Sequence, residues 1–168
     1  MLMGMSILGH AQESLNMRPS WRTHLTLSPS VDVVSTHGQF YAHGSLEYYF
    51  EEGYSISGEF LSSLLDVTAI SNKQVSAGAT KHWVQKQNDW FIGFQPGVFV
   101  IDSEESVEGS RVLPQSSVVM GYNFFMHDYF HFFAHVRSTY RQVPAANNRE
   151  QLDFSLSLGL GFNGPRKD

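Results

Sequence analysis

The sequence predicts an all-β chain, an eight-stranded antiparallel up-and-down transmembrane β-barrel over residues 21–163. Three observations predict it. From Trp21 onward apolar residues recur with a period of two rather than 3.6. Turn-forming residues interrupt that rhythm and divide it into eight segments. Charged residues make up 16% of the 168 and aromatic residues 14%, against about 25% charged in an average soluble domain. A chain so composed keeps much of its surface out of water.

Successive side chains on a strand point to opposite faces, so each segment separates into an apolar and a polar set. Strand 1, over 21–34, sets Leu25, Leu27, Val31 and Val33 against Arg22, His24, Thr26, Ser28, Ser30 and Asp32. Strand 2, over 39–50, sets Phe40, Ala42, Leu46, Tyr48 and Phe50 against Tyr41, His43, Ser45, Glu47 and Tyr49. Strand 3, over 54–64, sets Tyr54, Ile56, Gly58 and Phe60 against Ser55, Ser57, Glu59 and Ser63. Strand 4, over 74–84, is weaker, with Val75, Ala77, Ala79 and Trp83 against Ser76, Gly78, Thr80 and His82.

Strand 5, over 89–101, sets Trp90, Ile92, Phe94, Val98 and Val100 against Gly93, Gln95 and Gly97. Strand 6, over 112–125, sets Val118, Met120, Tyr122 and Phe124 against Gln115, Ser117, Gly121 and Asn123. Strand 7, over 129–142, sets Phe130, Phe132, Ala134, Val136 and Tyr140 against His131, His135, Arg137, Thr139 and Arg141. Strand 8, over 152–162, is the clearest. Leu152, Phe154, Leu156, Leu158, Leu160 and Phe162 form one face, and Asp153, Ser155, Ser157, Gly159 and Gly161 the other. Pro29, Pro96 and Pro114 fall inside strands. Each removes a ladder donor, so bulges or strand ends are expected there.

Connections after strands 2, 4 and 6 are short: Glu51-Glu52-Gly53, residues 85–88 and Met126-His127-Asp128. Those after strands 3, 5 and 7 are longer and more polar, as in 103–111 and 143–149. The first connection, 35–38, is short and breaks the trend. Short turns at one end and longer loops at the other are the habit of transmembrane barrels, with the short side periplasmic. An even strand number places both termini on that side.

Alternation does not say which face meets water, because a lipocalin-type barrel has the opposite polarity. Three features turn the apolar face outward. The polar face is rich in Gly and Ser, which suit the crowded interior of a narrow barrel. Its charges, Arg22, Arg137 and Arg141 against Asp32, Glu47, Glu59 and Asp153, are nearly balanced and can pair, as buried charges must. Tyr48, Tyr54, Trp83, Trp90, Tyr122 and Tyr140 lie on the apolar face near strand ends, where interfacial aromatic girdles sit.

The net charge of −5 provides no basic footprint for nucleic acid. The absence of cysteine excludes disulfides and thiolate metal sites. No stretch reaches the length of an apolar transmembrane helix. Residues 1–11 resemble the later half of a secretory signal peptide, with Gly9 and Ala11 set for cleavage after Ala11. Residues 12–20 then form an N-terminal segment and 164–168 a C-terminal tail.

In pattern the chain resembles the OmpA/OmpX-type superfamily of small outer-membrane barrels over roughly residues 20–163. Phe154, Leu156, Leu158, Leu160 and Phe162 look like the lipid-facing assembly strand of that class, which normally ends on an aromatic residue. Here six residues, 163–168, follow Phe162. The resemblance implies placement in a bacterial outer membrane and contact with its lipid and lipopolysaccharide.

Some barrels of that size act as lipid A deacylases or acyltransferases, and the deacylases use a His-x-Ser pair with a later Glu. The nearest match here is His135, Ser138 and Glu150. A His-x-x-Ser spacing puts His135 and Ser138 on opposite faces of a strand, so the pair cannot hydrogen-bond. His131 and His135 stand about 13 Å apart along strand 7, too far to share a metal without other strands, though His24, His43 and His82 also point inward. The acidic stretch Asp102–Glu108 lacks the spacing of a calcium loop and reads as a solvated loop.

The sequence therefore predicts a non-enzymatic barrel with neither cofactor, metal nor catalytic residue. Its plugged polar lumen is lined by Arg22, His24, Asp32, His43, Glu47, Glu59, His131, His135, Arg137, Arg141 and Asp153. Glu47 and Glu59 are the expected acceptors and Arg22 and Arg137 the expected donors, with Arg22 pairing Glu47. Loops of about five to nine residues favour an anchor or accessory subunit that meets other outer-membrane proteins through its wall. The alternative is an outer-leaflet lipid-modifying enzyme of the lipid A deacylase or acyltransferase kind.

Overall fold

Each period-two segment becomes a strand: β1 (Ser20–Asp32), β2 (Gly38–Glu51), β3 (Tyr54–Ser63), β4 (Ile70–Gln85), β5 (Asn88–Ser103), β6 (Arg111–His127), β7 (Phe130–Val143) and β8 (Arg149–Asn163). The structure is a computed structural model that describes residues 20–32, 38–51, 53–64, 70–103, 110–143 and 149–164. The leader-like residues 1–11, residues 12–19 of the N-terminal segment and tail residues 165–168 lie outside this set. The strands follow one another in sequence order and β8 returns to β1, closing an antiparallel barrel. Closure satisfies both edges of the sheet with each other, the condition for a sheet to survive in a medium without water.

The register fixes the tilt. Trp21 pairs with Tyr48, then in turn come Ile56, Ala79, Phe94, Val118, Ser138, Phe154 and finally Val31 on β1 again. One circuit thus advances ten residues along β1, from Trp21 to Val31. Such a stagger is what closing a sheet of tilted strands requires.

Alternation separates the two walls. On β8, Leu152, Phe154, Leu156, Leu158, Leu160 and Phe162 are exposed, whereas Asp153, Ser155 and Ser157 are buried. On β3 the pattern is strict from Tyr54 to Phe60, exposed then buried. The inner wall is not wholly polar: Leu61, Phe99, Leu113, Val119, Phe125 and Phe133 are buried with the polar residues.

The outer wall carries an aromatic belt at the end with the short turns. Trp21 packs on Tyr48 at 4.6 Å and Trp90 on Tyr122 at 4.7 Å, between ring centroids. Trp83 pairs across the ladder with Trp90, and the Lys81 ammonium sits 3.8 Å over the Tyr54 ring. On β4, Lys73 and Lys81 bracket the outward run Val75, Ala77 and Ala79.

Three expectations need correction. The prolines make no bulges; the register shifts lie instead at Tyr49/Glu51 and Phe125/His127. Each proline keeps a ladder partner on one side, Phe40 for Pro29, Ser116 for Pro96 and Val98 for Pro114. On the other side the ladder with β8, β4 and β7 respectively does not include it. A proline can sit in a strand where only one neighbour demands a donor. Second, β4 starts at Ile70, four residues before position 74, because polar Ser71, Asn72 and Lys73 hide its rhythm. Third, the first connection spans 33–37 and follows the trend. The turns at 52–53, 86–87 and 128–129 have two residues each, and the other connections have five to seven.

Candidate functional site

Among the described residues, ionisable side chains converge in the interior. Near the short-turn end Arg22 (β1), Glu47 and Tyr49 (β2), Ser55 (β3), His82 (β4), Asp89 (β5) and Asn123 (β6) are all buried. Inward parity puts each of them on the axis side of its own strand, and the narrow bore brings six strands within side-chain reach. Arg22 Nη1 donates to Asp89 Oδ2 at 2.8 Å and also to the Tyr49 hydroxyl. Its guanidinium lies over the rings of Tyr49 and Phe125, 3.8 and 4.4 Å from their centroids. His82 stands between two carboxylates, with Nδ1 3.0 Å from Asp89 Oδ1 and Nε2 3.1 Å from Glu47 Oε1. Glu47 further accepts from Ser55 Oγ at 2.6 Å and from the Tyr49 hydroxyl at 2.9 Å, and Asn123 Nδ2 donates to Asp89 at 3.0 Å.

Further along the axis Glu59 is the hub. It pairs with Arg137, faces His43 Nε2 at 3.0 Å and accepts from Gln95 Nε2 at 2.6 Å. His24 and His131 meet Nε2 to Nε2 at 2.7 Å, and His24 Nδ1 faces Ser45 Oγ at 2.8 Å. This imidazole pair depends on Gly161, the ladder partner of both residues. A Cβ at Gly161 would stand 2.5 Å from His24 Cδ2 and closer still to the His131 ring. His135 packs edge-on against His43 at 5.2 Å and stacks on Phe133 at 5.5 Å. At the far end Arg141 pairs with Asp153, donates to Gln151 at 3.0 Å and lies 3.9 Å over Phe99.

The structure therefore places Arg22, His24, His43, Glu47, Glu59, His131, His135, Arg137, Arg141 and Asp153 inside the barrel. The side chain of Asp32 lies outside the described residues. The expected direct pairing of Arg22 with Glu47 is corrected. The two are opposite each other in the ladder, but the Arg22 Nη1 atom goes to Asp89, and the Tyr49 hydroxyl stands between Arg22 and Glu47. A long side chain crosses the narrow bore to an acceptor on the opposite wall more readily than it folds back on its neighbour.

Asp89 is the residue that sequence reasoning passed over, because it adjoins a turn and reads as turn chemistry. Counting back by twos from Gln95 and Gly93 places it on the inner face. A double-mutant cycle checks the reassignment. Arg22→Met with Asp89→Asn should show a coupling of about 0.5–3 kcal/mol, exceeding that of Arg22→Met with Glu47→Gln. Equal couplings in vesicle unfolding titrations would return Glu47 as the partner.

Ser55, His82 and Asp89 also stand in the order of a nucleophile relay, with Ser55 Oγ 3.0 Å from His82 Nε2. Ser55 is 0% exposed, and its hydroxyl lies closer to Glu47 than to the imidazole. His135 faces inward, whereas Ser138 is half-exposed and has the opposite parity; the side chain of Glu150 lies outside the described residues. Among the described residues no group of three or more His, Asp or Glu is arranged to hold a metal ion. Residues 104–108 of the acidic loop lie outside the described set.

No family model and no curated protein matches this sequence. Solved structures do. Neisserial surface protein A superposes with a TM-score of 0.64 at 12% identity, over 87% of this chain and 96% of the other. The N-terminal β-barrel domain of Pseudomonas aeruginosa OprF gives 0.63 at 13%, over 87% and 98%. Ail, the attachment invasion locus protein of Yersinia pestis, solved with the heparin analogue sucrose octasulfate, gives 0.55 at 15%, over 88% and 99%. At these identities the likeness is one of fold: the chain has the architecture of the small eight-stranded outer-membrane barrels.

Proposed function

We propose that this chain spans a bacterial outer membrane as a non-enzymatic barrel with a plugged lumen, serving as a structural anchor or accessory subunit. The single observation that carries the reading is the division of the two walls. The outer wall exposes apolar side chains around its whole circumference, among them Leu25, Ile56, Trp83, Phe94, Met120, Phe132 and Leu158. In water such a surface would aggregate; in lipid it is solvated.

The lumen supports the plug. Arg22 and Arg137 reach across it to Asp89 and Glu59, and Arg141 pairs with Asp153 of the neighbouring strand; an eight-stranded barrel leaves an interior only wide enough for its own side chains. In this reading the short turns and both termini face the periplasm, and the outer wall meets lipid, lipopolysaccharide and neighbouring membrane proteins. Connections of five to seven residues at the opposite end leave little for an adhesin to display, which favours contact through the wall. The refolded chain in a planar bilayer should then show no steady conductance. A stable open level would remove the plug.

The competing reading, an outer-leaflet lipid-modifying enzyme, would have to recruit the Ser55–His82–Asp89 alignment. A fluorophosphonate probe, which phosphonylates activated serines with loss of fluoride, should leave the folded barrel unlabelled. Stoichiometric labelling that disappears in Ser55→Ala would favour the enzyme.

A further inference from the structure

The position of His82 between Glu47 and Asp89 carries a consequence for the protons in the lumen. Both ring nitrogens face a carboxylate oxygen, Nδ1 toward Asp89 at 3.0 Å and Nε2 toward Glu47 at 3.1 Å. A neutral imidazole has one N–H and one bare lone pair, so it can donate to only one of the two. Ser55 sharpens the point. Its hydroxyl oxygen is 2.6 Å from Glu47 Oε1 and 3.0 Å from His82 Nε2. With Nε2 bare, one hydroxyl proton would have to serve two acceptors that face each other. With Nε2 protonated, Ser55 donates to Glu47 and the Nε2–H is shared between Glu47 and the Ser55 oxygen, so no two bare lone pairs face each other in the triangle.

The charges agree. The groups facing His82 are Arg22 from β1, Glu47 and Tyr49 from β2, Ser55 from β3, and Asp89 and Phe91 from β5, with Asn123 from β6 holding Asp89. Arg22 supplies one positive charge against two carboxylates. With both carboxylates ionised, an imidazolium at His82 brings the cluster to neutrality, and burial makes an unbalanced charge expensive. Tyr49 and Ser55 already use their hydroxyl protons on Glu47.

We infer that the short-turn end of the lumen is closed by a proton-held lock: His82 is an imidazolium clamped between Glu47 and Asp89. The inference goes beyond the plugged-anchor reading, because an inert plug would need no protonated histidine.

Histidine-selective nitrogen-15 spectra of the refolded full-length chain in lipid test it directly, with His82→Gln to assign the signal. Both ring nitrogens of His82 should be protonated at pH 7; a bare nitrogen there overturns the inference. Should His82→Gln fail to fold, sequential assignment of the wild-type spectrum decides the point alone. Planar-bilayer conductance is a separate readout: an open level at neutral pH would count against the plug, whereas a bare His82 nitrogen would count only against the lock.

Discussion

Glu59→Leu should destabilise the barrel by about 3–5 kcal/mol, the largest loss expected of any single lumenal change outside the His82 cluster. Glu59 is buried and meets three partners at once: Arg137, His43 and Gln95. Removing the carboxylate leaves the Arg137 guanidinium charged, almost wholly buried and short of its counter-ion. Leaving one ion of a buried pair behind costs far more than the pair contributes, because the desolvation cost stays while the attraction is gone. Replacing both, Glu59→Leu with Arg137→Met, should therefore recover much of the loss. Unfolding titrations into urea from lipid vesicles measure all three proteins. A double variant as weak as the sum of the singles would mean that Arg137 and Glu59 are not energetically coupled.

Leu158→Arg should cost about 2–4 kcal/mol if position 158 lies near the bilayer midplane. Leu158 is 57% exposed on the outer wall, with Ala134 of β7 as its ladder partner. The neighbouring change Ser157→Ala should cost much less, since it trades one small lumenal side chain for another and places no charge in lipid. The contrast is a test of faces rather than of residue type, because the two positions are adjacent and share both flanking strands. Similar losses for the two would dissolve the distinction between the walls.

Much of this architecture was legible in the chain because alternation is a local signal. The Leu152–Phe162 run and the Tyr54–Phe60 run each assign their own faces without help from any other strand. The start of β4 was not legible, since Ser71, Asn72 and Lys73 carry no contrast between the two walls. The prolines misled for a related reason. Whether Pro96 disrupts a strand depends on which neighbour faces its missing N–H, and that is settled only when the barrel closes.

The lumenal site was legible as a set and illegible as a wiring. Parity places Arg22 and Glu47 inside, but their partners are fixed by side chains crossing the bore. Asp89, sixty-seven positions from Arg22 in the chain, is brought to it by the register of five strands. Nothing near either residue in sequence announces the pair. The Gly161 recess beneath the His24 and His131 rings is of the same kind, visible only once three strands lie side by side.

The central claim is that the apolar wall faces lipid and the polar wall faces the lumen. Spin labels at positions 157 and 158, placed one at a time in the full-length chain in lipid bilayers, test it most directly. Collision with a lipid-soluble relaxant should be strong at 158 and weak at 157, in keeping with exposures of 57% for Leu158 and 2% for Ser157. A label at 157 that meets the lipid-soluble relaxant while one at 158 is shielded would contradict the account and leave a barrel of the opposite polarity.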